Sequence, residues 1–456
     1  MPYITLIPGI VCIFVLFRSG TRSAFLNVLL PVLLLFPTNF FLMITHLPNL
    51  TFADVTLLVL GLGLAAMDLS RWKFSRMDLY VILFIFSCGY SEWVHYAAWR
   101  AGALAVMEGL VPYMAAKLLL GQPRMMIETI KRFILLVAAA SFAGMYEFVF
   151  KRNPYSYVFS HFYPGQWGWA STQIRWGFGR ISGPYTQSEL AGIILMAALL
   201  LAIWLMRWPP VGAWFIHPDL AIGRVTSRKL PRTKMVMLLL ALSLYMTQAR
   251  GPWIGTMVAL AIASIGRTQR PLRRAIILLT FFTVVGIPAY QFGKDYLGGP
   301  RTDYGSEKET AQYRAELIDN YIPLAEGGGA WGLGRMVPIV HSQTSIDNEY
   351  LFVWLVQGYV GLATFLLIVI EAAVAFCRAG IRSPIARDRQ LLFVLMGILL
   401  GMAFILTTVW LGAQAFELFF LLVGWSQVIR TVALKDPLEI ALPQPLQKPE
   451  AMRVYT

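Results

Sequence analysis

The sequence predicts an all-α, polytopic membrane helical bundle of twelve or thirteen transmembrane helices, with a large polar loop containing short helices on one face. Three observations predict it. Of 456 residues, 57% are hydrophobic and only 14% charged, with a mean hydropathy of +0.63, whereas a soluble globular chain carries about 25% charged residues. Apolar runs near the length that crosses a bilayer, about 20 residues, recur along the chain. Basic clusters punctuate alternate connections between them.

The runs fall at 3–17, 24–44, 53–69, 78–94, 100–120, 131–150, 186–206, 234–249, 252–266, 274–292, 349–377, 391–410 and 412–430. The first is short, which leaves the count at twelve or thirteen. It lacks the basic region and small-residue cleavage site of a signal peptide, so it reads as a retained span. Arg71/Lys73/Arg76, Arg124/Lys131/Arg132, Arg207 through Lys234, Arg267/Arg270/Arg273/Arg274 and Arg378/Arg382/Arg387/Arg389 mark cytoplasmic ends by the positive-inside rule. Segments 151–185, 248–252, 293–348 and the turn near Trp410 then face outward.

The chain therefore divides into N-terminal spans (1–150), an aromatic outer loop (151–185), central spans (186–292), a large outer loop (293–348), C-terminal spans (349–432) and a cytoplasmic tail (433–456). Pro443, Pro445 and Pro449 make that tail read as disordered. The net charge of +14 is largely topological, which makes membrane lipids the expected partner and nucleic acid an unnecessary one. Cys12, Cys88 and Cys377 lie in or at the ends of spans, so neither a disulfide framework nor a metal-ligand spacing emerges. No metal and no cofactor is expected.

The large loop concentrates the polar chemistry, and long loops between helices commonly carry function. Within it, Tyr313, Leu317 and Tyr321 share one face of a helix at about 309–324. Gly327–Gly329, Gly332 and Gly334 break that helix, and Asp347-Asn348-Glu349 follows at the mouth of the next span. His341, Asp347 and Glu349 are the candidate general bases, since each can accept a proton from a sugar hydroxyl within reach. Asp347-Asn348 fits equally well as a helix cap, with Glu349 in the first turn.

Arg250 joins two spans in Thr247-Gln-Ala-Arg-Gly-Pro-Trp253, on the face where arginine is disfavoured. An arginine at membrane depth costs about 2.5–3.5 kcal/mol, and a diphosphate offers the bidentate geometry a guanidinium fits best. Snorkelling to water or lipid phosphate is the plain alternative. Arg180, just before a span, and Arg314, in Tyr313-Arg-Ala-Glu316, are candidate partners for the same anion. Their alternatives are helix-end compensation and an ordinary surface pair. Tyr185, Trp176 and Tyr313 offer ring faces for sugars, while aromatics also favour the membrane interface without any ligand.

Gly-x-Ser-x-Gly, His-Glu-x-x-His, phosphate-loop and Asp-x-Asp signatures are absent from the sequence. Acidic residues suited to gradient coupling are few, with Glu371 near a span end and Glu417 the main buried candidate, which disfavours a transporter or flippase.

As a whole, the arrangement resembles the O-antigen ligase and O-antigen polymerase superfamily of bacterial surface-polysaccharide assembly. The matching pieces are Gly179-Arg-Ile-Ser-Gly-Pro-Tyr-Thr-Gln-Ser-Glu-Leu-Ala191, Thr247-Gln-Ala-Arg-Gly251, Tyr313-Arg314 leading to Ala330-Trp-Gly-Leu-Gly334, and Asp347 through Gly361. They cover roughly residues 175–365. The resemblance implies a GT-C-type fold in the bacterial inner membrane and metal-independent, inverting glycan transfer from undecaprenyl diphosphate on the periplasmic side. It implies that Arg250, Arg180 and Arg314 bind the diphosphate. The acceptor is then another lipid-linked glycan or the lipid A core, and a chain-length regulator is a further candidate partner. Ligases of the superfamily commonly carry histidine where this chain has Asp347, which favours polymerisation over ligation.

Overall fold

The computed structural model describes residues 2–45, 47–122, 124–166, 172–208, 232–297, 307–340, 343 and 345–432. Among them, eight helices are long and apolar enough to cross a membrane, and four shorter apolar helices accompany them. The only strands described are the two-residue pair Ile174–Arg175 and Phe178–Gly179. The protein is an all-α polytopic bundle.

The first of the eight, Pro2–Leu35, is two helices. Gly20 sits at φ 77°, ψ 177°, inside an otherwise helical run, a conformation that favours glycine. A straight helix of that length would be about 50 Å long, yet its first turn and Phe40, a few residues past its end, both reach Tyr163. The Tyr163 hydroxyl is 2.5 Å from Thr5 Oγ1, and its ring lies 5.4 Å from that of Phe40. At the opposite end Thr21 donates to Asp68 at 2.7 Å. The chain reverses at Gly20, giving α1 (2–19) and α2 (21–35). With that division the described residues contain thirteen apolar helices, in line with the sequence.

The next helices are α3 (Phe52–Met67), α4 (Arg76–Tyr96), α5 (Arg100–Leu119) and α6 (Met125–Phe150). Helix α3 starts in a capping box in which Thr51 and Asp54 satisfy each other's backbone amides. Helices α4 and α5 touch through glycine, where a Cβ on Gly89 or Gly102 would lie 3.1 Å from the other's Cα. A short helix, α7 (Pro154–Ser160), precedes α8 (Ser188–Arg207). Helix α8 is the most deeply buried of the eight long helices.

Helices α9 (Arg232–Met246) and α10 (Arg250–Ile265) follow, then α11 (Pro271–Leu297), in which none of residues 271–288 is buried. Helix α12 (Glu307–Gly327) is polar and leads to a helical run from Glu349 to Arg382. Helices α15 (Ala386–Ile405) and α16 (Gln414–Val432) complete the bundle.

The run from Glu349 to Arg382 also contains a break, at Gly358 with φ 68°, ψ −163°. Fifteen residues of continuous helix would separate Tyr350 from Phe365 by about 22 Å, but their rings are 5.8 Å apart. Two helices, α13 (349–357) and α14 (359–382), therefore fold back on each other. The sequence places Asp347-Asn348-Glu349 at the mouth of a span. The structure instead places it at the base of a short helix that climbs to Gly358 before the span begins.

Helices α10 and α15 pack antiparallel through small residues. A Cβ on Gly255 would sit 3.0 Å from Gly401 O, and one on Gly397 would sit 2.5 Å from Ala259 O. In lipid, where apolar faces gain nothing by association alone, such small-residue seams give helix pairs their packing.

Candidate functional site

The turn between α9 and α10 presents Arg250. Thr247 is fully buried and Gln248 takes a left-handed backbone, φ 51°. Ala249 is extended as N-cap, and Arg250 opens α10 with an exposed side chain. Such a turn needs support, and the β-hairpin 174–179 lies across it. Arg175 Nη1 donates to Gln248 O at 2.8 Å, Arg180 Nε to Thr247 O at 3.2 Å, and Ile181 N to Met246 O at 3.3 Å. The hairpin closes through Trp176-Gly177, both at positive φ (52° and 79°), as a two-residue mirror-image turn requires.

Arg180 is 7% exposed. Besides Thr247 O, its Nη1 reaches Gln173 Oε1 at 2.6 Å and its Nη2 reaches Glu189 Oε1 at 2.6 Å. All three guanidinium nitrogens hold protein groups, so the structure places this residue as a brace for the Arg250 turn. Glu147, which the sequence reading did not single out, clamps the same loop. Its carboxylate accepts from Ser182 N, Gly183 N, Thr172 Oγ1 and Ser182 Oγ, all within 3.0 Å.

On the other side, α12 covers α13. Leu317, Tyr321 and Ala325 pack on Leu351 and Leu355, the face that the helical spacing predicts. The Tyr313 hydroxyl donates to Ser345 O at 2.8 Å, and that of Tyr321 donates to Gln343 O at 3.2 Å. These bonds hang Gln343 and Ser345 on α12. Arg314 is part-buried, and its Nε is buried with no hydrogen-bond partner among the described residues.

The three residues Asp347, Asn348 and Glu349 have separate tasks. Asn348 caps α13 by accepting from Leu351 N at 3.1 Å. Glu349, 3% exposed, receives Leu411 N at 2.6 Å on Oε2, while its own amide donates to Leu406 O at 2.9 Å. Asp347 is part-exposed and held by the Ser345 hydroxyl at 2.5 Å. Of the candidate bases, Asp347 is the reachable carboxylate and Glu349 is sealed in. His341 lies outside the described residues.

The stretch 405–411 joins the two halves. A Cβ on Gly251, next to Arg250, would sit 2.9 Å from Thr408 Oγ1, and Glu349 bonds residues 406 and 411 of the same stretch. Arg250 and the Asp347–Glu349 segment thus flank one turn. Beside Arg250 the rings of Trp176 and Trp253 are 6.3 Å apart, and Tyr245 stacks on Trp253 at 5.2 Å. Trp176, 54% exposed, offers a free ring face. Tyr185, another candidate sugar platform, is closed off. It is 4% exposed, with its hydroxyl 3.4 Å from Leu34 O, and burial holds its phenol well above the ordinary value. Tyr313 commits its hydroxyl to Ser345 O.

Helix α4, which reads as a generic span in sequence, cradles the loop. His95 Nε2 is 2.8 Å from Gly332 O, Tyr96 donates to Leu333 O at 3.1 Å, and Trp331 packs on Tyr90 at 4.6 Å. Arg335 Nε lies 2.7 Å from the buried Glu92 Oε1. The loop in turn bonds both sides of the Gly358 break. Leu333 N and Gly334 N donate to Leu355 O and Val356 O, while Tyr359 N and Val360 N donate to Gly329 O and Ala330 O.

With this geometry in hand, the comparison with known families is specific: residues 235–366 match the family described as O-antigen ligase. The similarity covers this segment and supports a relationship to the O-antigen ligase/polymerase superfamily there. The matched segment runs from α9 into α14 and contains Arg250, Arg314, His341, Asp347 and Glu349. Its braces Arg180 and Glu147 lie upstream of it. No curated protein matches the chain. The family match points to a glycosyltransferase- or ligase-type role for this multi-pass membrane protein.

Proposed function

We propose that this protein polymerises undecaprenyl-diphosphate-linked glycan repeats at the periplasmic face of a bacterial inner membrane, within a GT-C-like bundle. The observation that carries the reading is the pairing, around the 405–411 turn, of a braced and exposed Arg250 with a reachable Asp347. In the reaction an acceptor hydroxyl attacks the anomeric carbon from the face opposite the diphosphate. The bond from carbon to phosphate oxygen breaks, its electron pair leaves with the diphosphate, and the configuration inverts. Asp347 takes the hydroxyl proton. Arg250 stabilises the charge that develops on the leaving group, and Arg314, whose Nε has no partner among the described residues, is the second cation for it. Donors fixed before the reaction are usually the largest catalytic term, and losing one typically costs about 10²–10³-fold. Trp176 is the sugar platform.

Ligation to lipid A core is the second reading, favoured by the description of the matched family. Purified protein with lipid-diphosphate-linked repeats tests the chemistry. Arg250→Lys should impair transfer, because a point charge lacks the bidentate fork, and full transfer by a normally inserted Arg250→Ala protein would overturn the assignment. A deletion strain's glycan profile separates the two readings. Single repeats left on core lipid mark a lost polymerase, whereas polymer stranded on its carrier marks a lost ligase.

A further inference from the structure

An apolar groove of about 530 Å³ opens between α4 and α5, remote in the chain from the Arg250 turn. Phe86, Tyr90 and Trp93 line it from α4, and Trp99, Gly102 and Val106 from α5. Its α4 wall, from Ile82 to Trp93, is about 16 Å of helix. The α5 wall contains a π-helical turn at Val106–Leu110, a local distortion frequently found at functional sites.

One arginine adjoins the Trp99 end of the groove. Arg100 follows Trp99 and is exposed, with no ion pair among the described residues. Arg335 is tied through Nε to the buried Glu92 of α4, so its charge is already paired. The mouth also continues into the candidate site. Trp331 packs on Tyr90, and the 332–334 backbone hangs from His95 and Tyr96 and then bonds α13, whose base carries Asp347. An open apolar groove with aromatic walls, an exposed arginine next to one end and a connection to the segment that carries Asp347 fits an amphiphile with a long hydrocarbon tail and an anionic head.

We propose that the α4–α5 groove is a second polyprenyl-diphosphate site, which holds the acceptor lipid while Arg250 holds the donor. The inference rests on the polymerase reading, since joining two lipid-linked glycans requires two such lipids bound at once. The two cationic points lie on different helix pairs, α4–α5 and α10–α15, and both converge on the segment 331–358.

The test is photocapture without turnover. The full chain, carrying Trp93→p-benzoylphenylalanine in nanodiscs of phosphatidylethanolamine and phosphatidylglycerol, is illuminated with radiolabelled undecaprenyl diphosphate. Capture should be competed by unlabelled undecaprenyl diphosphate and persist in Arg250→Ala. It should fall about tenfold in Arg100→Glu, the scale of one charge-assisted contact, and fall likewise in Val106→Trp, which fills the groove. Capture unchanged by both of these substitutions overturns the proposal. So does displacement by phosphatidylglycerol as effective as by undecaprenyl diphosphate, or displacement by lipid A core instead. Because no glycan is transferred, this outcome is independent of the deletion-strain profile that tests the polymerase reading.

Discussion

Replacing Arg180 by lysine separates bracing from substrate binding. Lysine keeps the charge and reaches one partner, Glu189, but has no fork for Thr247 O and Gln173 Oε1. A hydrogen bond from a charged donor contributes about 1.5–3 kcal/mol, and the bond to Thr247 is one of three that fix the turn. The other two, from Arg175 and Ile181, keep the turn formed but less tightly placed. A displacement of about 1 Å in a reacting group costs about 10²-fold, so kcat should fall about 10- to 10²-fold with the donor KM nearly unchanged. Arg175→Lys should produce a smaller effect of the same kind. Steady-state kinetics with purified protein and lipid-diphosphate-linked repeats read both constants. A donor KM raised tenfold or more at unchanged kcat would show Arg180 on the diphosphate and refute the brace.

Asp347→Asn should lower turnover about 10²–10⁴-fold, the usual contribution of a general base, with photocapture of donor intact; near-normal turnover would move the role to His341. Glu349→Gln keeps an acceptor for Leu411 N, so it should cost less than about tenfold, and a loss equal to that of Asp347→Asn would contradict its structural role. Gly358→Ala puts a Cβ 2.4 Å from Ala330 O at φ 68°. Strain of about 1–3 kcal/mol should appear as a lowered Tm in detergent, and an unchanged Tm would dispute the reversal there. Cysteine labelling at Gly165 and Gly328 should succeed from outside intact inner membranes, while reaction only after the cytoplasm is opened would invert the topology.

Much of the bundle is legible in the sequence because each feature is local. Hydropathy finds the spans, the i, i+4, i+8 spacing finds the Tyr313–Leu317–Tyr321 face, and Asn348 caps where its residue type suggests. The rest depends on contacts between distant residues. Hydropathy carries no direction, so 349–377 reads as one span although Tyr350 and Phe365 meet. Arg180 reads as an anion ligand because its partner Thr247 is 67 residues away. Tyr185 and Trp176 are both aromatic and nearby in sequence, and only packing decides that one is buried and the other open. Glu147 and the α4 cradle have no local motif. Their only signals are a carboxylate, and a cluster of serine, histidine and tyrosine, at the end of an apolar helix.

The reversal at Gly358 has a consequence for how this protein can be rebuilt. A helix break frees carbonyls on one side and amides on the other, and in a bilayer each such group needs a protein partner. Here the freed groups at Leu355, Val356, Tyr359 and Val360 all pair with residues 329–334. The glycine-rich loop therefore stands in for solvent at the top of the membrane domain. Grafting the loop alone from a relative would strip those partners away. The exchangeable block is the loop and helical hairpin together, residues 327–361, and any chimera or truncation that divides it leaves peptide groups stranded at the membrane face.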